Sequence, residues 1–309
     1  MLDEAVAWIE ANSEPTDSFI VSHCGQTLVS TYQNGFDADM LHELQSATKT
    51  FSAVLVGIAL DQGLIESVDQ PLVELLPDYA DLLTGEKAEI TLRHVLTMTT
   101  GLRWVDFGAN NSFVQIGAAE DSVVYVLEQP LLAAPGETFF YNTGSSHLLS
   151  AIIHHNSGMT TAEFAEAHLF EPLGIEAYQW PALRDGVQQG GWGMYMKPAD
   201  FLKFGELLLN GGRWQGEQVV SRAFVDDATA FLVPNGMGGG YGYQMWIDTN
   251  TFDVDDIAGA RGYGGQDCLV MAELGLVVVF TGDIIAPAQM AQDVATVVNR
   301  FVIPAYTGP

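Results

Sequence analysis

The chain has 309 residues, 48% of them hydrophobic, which is enough to bury a large core in one big domain or two coupled ones and too apolar for a disordered chain. With 39 acidic residues against 11 basic ones the formal charge is -28, a negative field that repels nucleic acid and anionic membrane and favours neutral or cationic small molecules. Two cysteines, Cys24 and Cys268, allow one disulfide at most and read as small core residues, and the acidic start lacks the basic and apolar regions of a signal peptide, so a soluble cytoplasmic protein is expected.

From the N-terminus, residues 2–12 fit a short amphipathic helix, and residues 19–32 are rich in strand formers with a break at Gly25, the pattern of a hairpin. Within it, Ser22-His23-Cys24 sets neighbouring side chains on opposite faces, so no thiol and imidazole pair is expected there. From residue 61 to 209 apolar residues recur at spacings of three and four, in segments 91–99, 122–127, 145–156, 161–169 and 198–209. Strand patterns return at 241–249, 267–272 and 276–281, and 290–301 reads as a last helix packing back on them. The expected fold class is α+β. An antiparallel sheet of about five strands is built from both chain ends (1–60 plus 210–309), with a mainly helical region inserted at 61–209 and an active site between the two.

One of only four lysines, Lys49, follows Ser46 by three residues at the head of the uncharged run 50–60. On a helix those two side chains share a face, and the free N-H groups of the first turn stabilise negative charge beside them. A helix apolar on nearly all sides is buried, and burial lowers a lysine's pKa because it penalises the ammonium form. A neutral amine beside a serine hydroxyl is a general base beside a nucleophile, the arrangement that acyl transfer needs. The competing reading is a lysine that carries its head to the surface.

Further segments settle between these. Ser46-Ala-Thr-Lys49 is followed by Gly57-Ile-Ala-Leu-Asp-Gln-Gly63, by the run 90–102 (ITLRHVLTMTTGL), by Pro135-Gly136 ahead of Phe139-Phe-Tyr-Asn-Thr-Gly144, by Leu173-Gly-Ile175, by Lys197-Pro-Ala-Asp200, and by Gly262-Tyr-Gly-Gly-Gln266. In that order they resemble the serine hydrolases of the beta-lactamase and penicillin-binding-protein fold. The branch most similar holds class C beta-lactamases, esterases and 6-aminohexanoate-dimer hydrolases. The resemblance implies Ser46 as nucleophile, with Lys49 and Tyr141 managing its proton. It also implies an oxyanion hole from the backbone N-H groups of Ser46 and Gln266. Beside an ammonium the Tyr141 phenol is expected to ionise more easily. Gly264 and Gly265 are expected to let a substrate approach the backbone closely.

Two departures bear on substrate. The order Tyr141-Asn142-Thr143 displaces the asparagine that relatives carry two residues after the tyrosine, and Tyr263 stands where a lysine or histidine is usual. Without that cation a substrate carboxylate loses its partner, so small neutral esters are expected ahead of beta-lactams, D-amino-acid peptides or oligo-amides. A catalytically idle binding protein is the alternative of another class. Among aromatic residues near these segments, Trp104, Phe107, Trp192, Tyr195 and Trp246, Trp104 is the favoured pocket residue, joined by Asn142, Thr143, Tyr263, Gly264 and Gly265. His147, His154 and His155 have no metal-ligand spacing, and no phosphate-binding glycine loop is present, so neither metal nor cofactor is expected. The sequence leaves monomer against oligomer open.

Overall fold

The computed structural model describes residues 1–106, 108, 111–255 and 257–307. Helix α1 (Leu2–Asn12) leads into the hairpin β1 (Thr16–His23) and β2 (Gln26–Tyr32). A 3-10 turn, Gln45–Ala47, then opens α2 (Thr48–Asp61). Short helical pieces precede α3 (Thr143–Ser157) and α4 (Pro198–Leu209). Strands resume with β3 (Val233–Pro234), β4 (Gly240–Tyr241), β5 (Trp246–Asp248), β6 (Ile257–Gly262), β7 (Gln266–Met271) and β8 (Leu276–Gly282), before α5 (Pro287–Val297).

The main sheet runs β2-β1-β8-β7-β6-β5-β4-β3 and is antiparallel throughout, so strands from both chain ends meet at the β1–β8 pairing. It has eight strands rather than about five. Strand β6, Ile-Ala-Gly-Ala-Arg-Gly, lacks the β-branched density that marks a strand in sequence and gains its place by burial between β5 and β7. The stretch 241–249 is not one strand. Gln244 adopts φ +57°, and a Cβ on Gly242 would sit 2.1 Å from the Ala228 carbonyl oxygen, so the chain turns there. The expectation for His23 and Cys24 is also corrected: Cys24 is a turn residue at φ +51°, outside strand alternation, and its Sγ lies 3.6 Å from His23 Nε2.

Alternation along the central strands feeds two cores. Ile20, Cys268, Val270, Val277 and Val279 face the helices of the inserted region. Phe19, Val21, Leu269, Met271, Val278 and Phe280 face α1 and α5. Both faces being covered, the strands carry near-continuous apolar runs. Helix α2 is buried at every residue from Thr48 to Ala59. No helix among the described residues is long and apolar enough to cross a membrane.

Helix α4, which the sequence pattern groups with the inserted region, lies against β7 and β8. A Cβ on Gly205 would fall 2.4 Å from Cys268 Sγ and 2.5 Å from Val277 Cγ1, so only glycine allows this approach. Gly205→Ala should therefore lower the urea unfolding midpoint, at a cost of roughly 1–3 kcal/mol for overpacking that exceeds the ~1 kcal/mol gain in helix propensity. A midpoint unchanged or raised would mean that α4 packs less closely than described.

Candidate active site

Ser46 sits in the 3-10 turn ahead of α2, where Gln45 is held at φ +49°, a strained conformation for a residue with a side chain. The turn is fixed by Thr48, whose hydroxyl donates to the Gln45 carbonyl at 2.7 Å and accepts from Met194 N-H at 3.2 Å. One helical turn on, Lys49 Nζ donates to Ser46 Oγ at 3.0 Å and to the Gly191 carbonyl at 2.7 Å. Ser52 Oγ donates to the neighbouring Gly190 carbonyl at 2.6 Å, so the segment around Gly191 is stitched along α2. Lys49 is 1% exposed. Burial brings its pKa down from 10.5 to about 7, partly opposed by the Asp106 carboxylate.

Tyr141 immediately precedes Asn142, the cap of α3. Its hydroxyl is hydrogen-bonded to Ser46, and its ring stacks on Trp246, with centroids 5.2 Å apart, while Lys49 Nζ lies 4.9 Å from the ring centre. Contrary to the expectation of an easily ionised phenol, burial raises the Tyr141 pKa, outweighing the Ser46 hydrogen bond, with Asp106 adding to the rise. The group that is neutral and basic near pH 7 is therefore the lysine.

Ser46 and Tyr141 open on a cleft of about 420 Å³ whose far wall includes Asn235, Met237, Trp246, Asp248, Arg261 and Tyr263. Strand β6 brings this wall to the turn that carries Ser46: a Cβ on Gly262 would lie 2.2 Å from the Leu44 carbonyl oxygen. Several expected site residues lie elsewhere. Gln266 does not line the cleft. Its carboxamide donates to the carbonyls of Gly264 and Gly282, at 3.2 and 2.6 Å, while its backbone, which carries the expected N-H, pairs with Gly262 at the start of β7. Gly264 and Gly265 are packed under Ile284 and Met290, so their smallness serves the turn rather than substrate approach. The Asn142 side chain caps α3, accepting from Ser145 N-H at 2.9 Å and donating to the Leu102 carbonyl at 2.8 Å. Thr143 is 1% exposed and donates to Asp106.

Trp104 is a core residue, 3% exposed, edge-on to Phe113 and Tyr125. Of the aromatic candidates, Trp246 and Tyr263 reach the cleft among the described residues, and Phe107 lies outside them. Arg261, a cation in the cleft, went unread because no local motif marks it. It is held by Asp267 at 3.1 Å and Asp248 at 3.4 Å. Asp106 also went unread, although it falls two residues after Trp104. The carbonyl of Gly191 has no side-chain signature at all.

A second constellation, Ser122, His147 and Asp185, is sealed and wired differently from a nucleophilic triad. The serine, 1% exposed, stands in the middle: its Oγ meets His147 Nε2 at 2.7 Å and donates to Asp185 Oδ2 at 2.5 Å. Burial drives the His147 pKa down to about 4, which leaves the imidazole neutral. The cluster joins the helix at Ser122–Leu127, α3 and the loop at Asp185.

A family model described as Beta-lactamase matches residues 5–295. The chain is 25% identical over 236 residues to the 6-aminohexanoate-dimer hydrolase of Paenarthrobacter ureafaciens, covering 70% of this chain and 57% of that one, so it spans little more than half of that relative. Similar solved structures include a penicillin binding protein from Bacillus halodurans, with TM-score 0.76, 19% identity and coverage of 94% and 98%. Another is EstCE1, a hydrolase with promiscuous acyltransferase activity, with TM-score 0.77, 15% identity and coverage of 95% and 97%. At these identities the two structures speak for the fold.

The displaced lysine pKa links the site to stability. Lys49 binds its proton less readily folded than unfolded, so the unfolded chain holds more protons between about pH 7 and 10.5, and stability rises with pH across that window. Lys49→Met, which removes the titrating group, is expected to raise the unfolding temperature, most at and below pH 7, with the gain shrinking as the pH approaches 10.5. Melting curves across that range check it, and a gain independent of pH would contradict the assigned shift.

Proposed function

The chain belongs to the beta-lactamase family, and from that premise we propose that it is a serine hydrolase working through an acyl-enzyme, with small neutral esters as its best substrates. One observation carries the proposal: a buried lysine with a pKa near 7, its nitrogen 3.0 Å from a serine oxygen that faces an open cleft. As Ser46 Oγ bonds to the substrate carbonyl carbon, its proton passes to neutral Lys49. The carbonyl π bond opens to an oxyanion. We place that oxyanion against the N-H groups of Ser46 and Tyr263, since Tyr263 shares the cleft with Ser46 and Gln266 does not. The bond to the leaving alkoxide then breaks, and the alkoxide takes the proton from the Lys49 ammonium by way of the Tyr141 hydroxyl. Water attacks the acyl-enzyme by the same relay and releases the acid with Ser46 restored.

The preference for neutral esters follows from charge. Arg261, the cation of the cleft, already faces two carboxylates, and Tyr263, 47% exposed, is a neutral contact. A substrate carboxylate entering here meets no uncompensated positive group among the described residues. A linear amide is the second reading, favoured by the likeness to the 6-aminohexanoate-dimer hydrolase.

A fluorophosphonate should label the protein, and Ser46→Ala should abolish the label and cut ester turnover by at least about 10³-fold. For the active protein, kcat/KM on a neutral p-nitrophenyl ester should rise with pH to a plateau above about 7 as Lys49 loses its proton, and should exceed that on a carboxylated cephalosporin. Persistent labelling of the alanine variant rules out Ser46 as nucleophile; faster cephalosporin turnover reverses the substrate ranking.

A further inference from the structure

The mechanism above leaves one carboxylate at the reacting pair unused. Asp106 Oδ1 accepts from the Trp104 indole N-H at 2.8 Å and from the Thr143 hydroxyl at 3.0 Å. Both donors are themselves fixed. The Trp104 ring is pressed so closely on α3 that a Cβ at Gly144 would lie 2.3 Å from it. Thr143 begins α3 two residues after Tyr141, and its methyl group abuts Gly191, where a Cβ would lie 2.7 Å away. Gly191 is the residue whose carbonyl receives Lys49 Nζ. Contacts thus run without a break from the carboxylate to the lysine on one side and to the tyrosine on the other.

We propose that Asp106 is a positioning residue for this reaction: a counter-charge, tied down by Trp104 and Thr143, that stabilises the Lys49 ammonium formed when Ser46 gives up its proton and keeps the Tyr141 phenol protonated. The proposal rests on the assignment of Lys49 as base. Its charge acts on both groups in the required sense, favouring the cation on Lys49 and disfavouring the anion on Tyr141. Among the described residues no other carboxylate acts on both. The segment around Gly191 offers carbonyls and no charged side chain. Tyr241, on β4, meets Tyr141 ring to ring at 6.5 Å and brings a neutral hydroxyl. Arg261, on β6, is compensated by Asp248 and Asp267. A merely structural Asp106 would tie its loop to α3 and leave the titration of Lys49 alone.

The sign is set by the removal of an anion. Without it the ammonium is less favoured, so Lys49 becomes neutral at a lower pH, yet it holds the proton of Ser46 less well at every pH. In Asp106→Asn, therefore, the midpoint of the acidic limb of the fluorophosphonate labelling rate at Ser46, each profile scaled to its own plateau, should move down by about one pH unit. The plateau should fall about tenfold, the equivalent of one unit of lost stabilisation. Asp106→Glu, which keeps the charge, should bring the limb back toward the wild-type position. An unmoved limb in a folded Asp106→Asn overturns the proposal, as does an Asp106→Glu profile that matches the asparagine variant. If Asp106→Asn does not fold, Thr143→Val releases one of the two anchors and should move the limb the same way by less; no movement there overturns the proposal equally. Failure of the underlying assignment looks different, because then the wild-type protein is not labelled or Ser46→Ala retains the label.

Discussion

An amine whose hold on its proton is weakened by burial governs this structure. Lys49 is enclosed by α2, the Gly191 segment and the Tyr141 ring, and its nitrogen has two acceptors, Ser46 Oγ and the Gly191 carbonyl. A carbonyl and a hydroxyl satisfy a neutral amine about as well as a cation, whereas only water or an anion repays the desolvation of an ammonium. The surroundings therefore select the form of the lysine that is useful to a neighbouring serine. They also oblige every packed element to stay in place, since water admitted to the pocket would restore the charge.

The apolar packing supplies that rigidity. Helix α2 is enclosed from Thr48 to Ala59, and its few hydroxyls are spent on neighbouring backbone: Thr48 with Gln45 and Met194, Thr50 with the Gln244 carbonyl, Ser52 with Gly190. These contacts join the Ser46 turn and its helix to segments about 140 and 200 residues away in sequence. The cleft wall is carried by β6, at the centre of a sheet covered on both faces, which suits a wall that must stand within contact distance of the Leu44 carbonyl.

Much of this was legible in sequence because it rests on local spacing. Ser46 and Lys49 share a helical face by virtue of three residues, and the uncharged run after them announces burial. The strands at 267–272 and 276–281 announce themselves by composition. What was not legible depends on partners distant in the chain. Trp104, Asn142 and Gly264 have the chemistry of pocket residues, but their contacts with Gly144, Leu102 and Ile284 use it for packing and capping. Arg261 gains its meaning only from Asp248 and Asp267, brought beside it by the pairing of β5, β6 and β7. A carbonyl such as that of Gly191 leaves no trace in the letters at all.

The sheet is closed by a pairing between strands from opposite ends of the chain, β1 with β8. A ribosome making this protein releases Ser46 and Lys49 long before the cleft wall, and β8 emerges last of the described strands. Until then β1 has its hairpin partner β2 on one edge and no strand on the other, so the sheet stays open. The same topology delays the cleft, since Ser46 meets its far wall only once β6 has been made and paired.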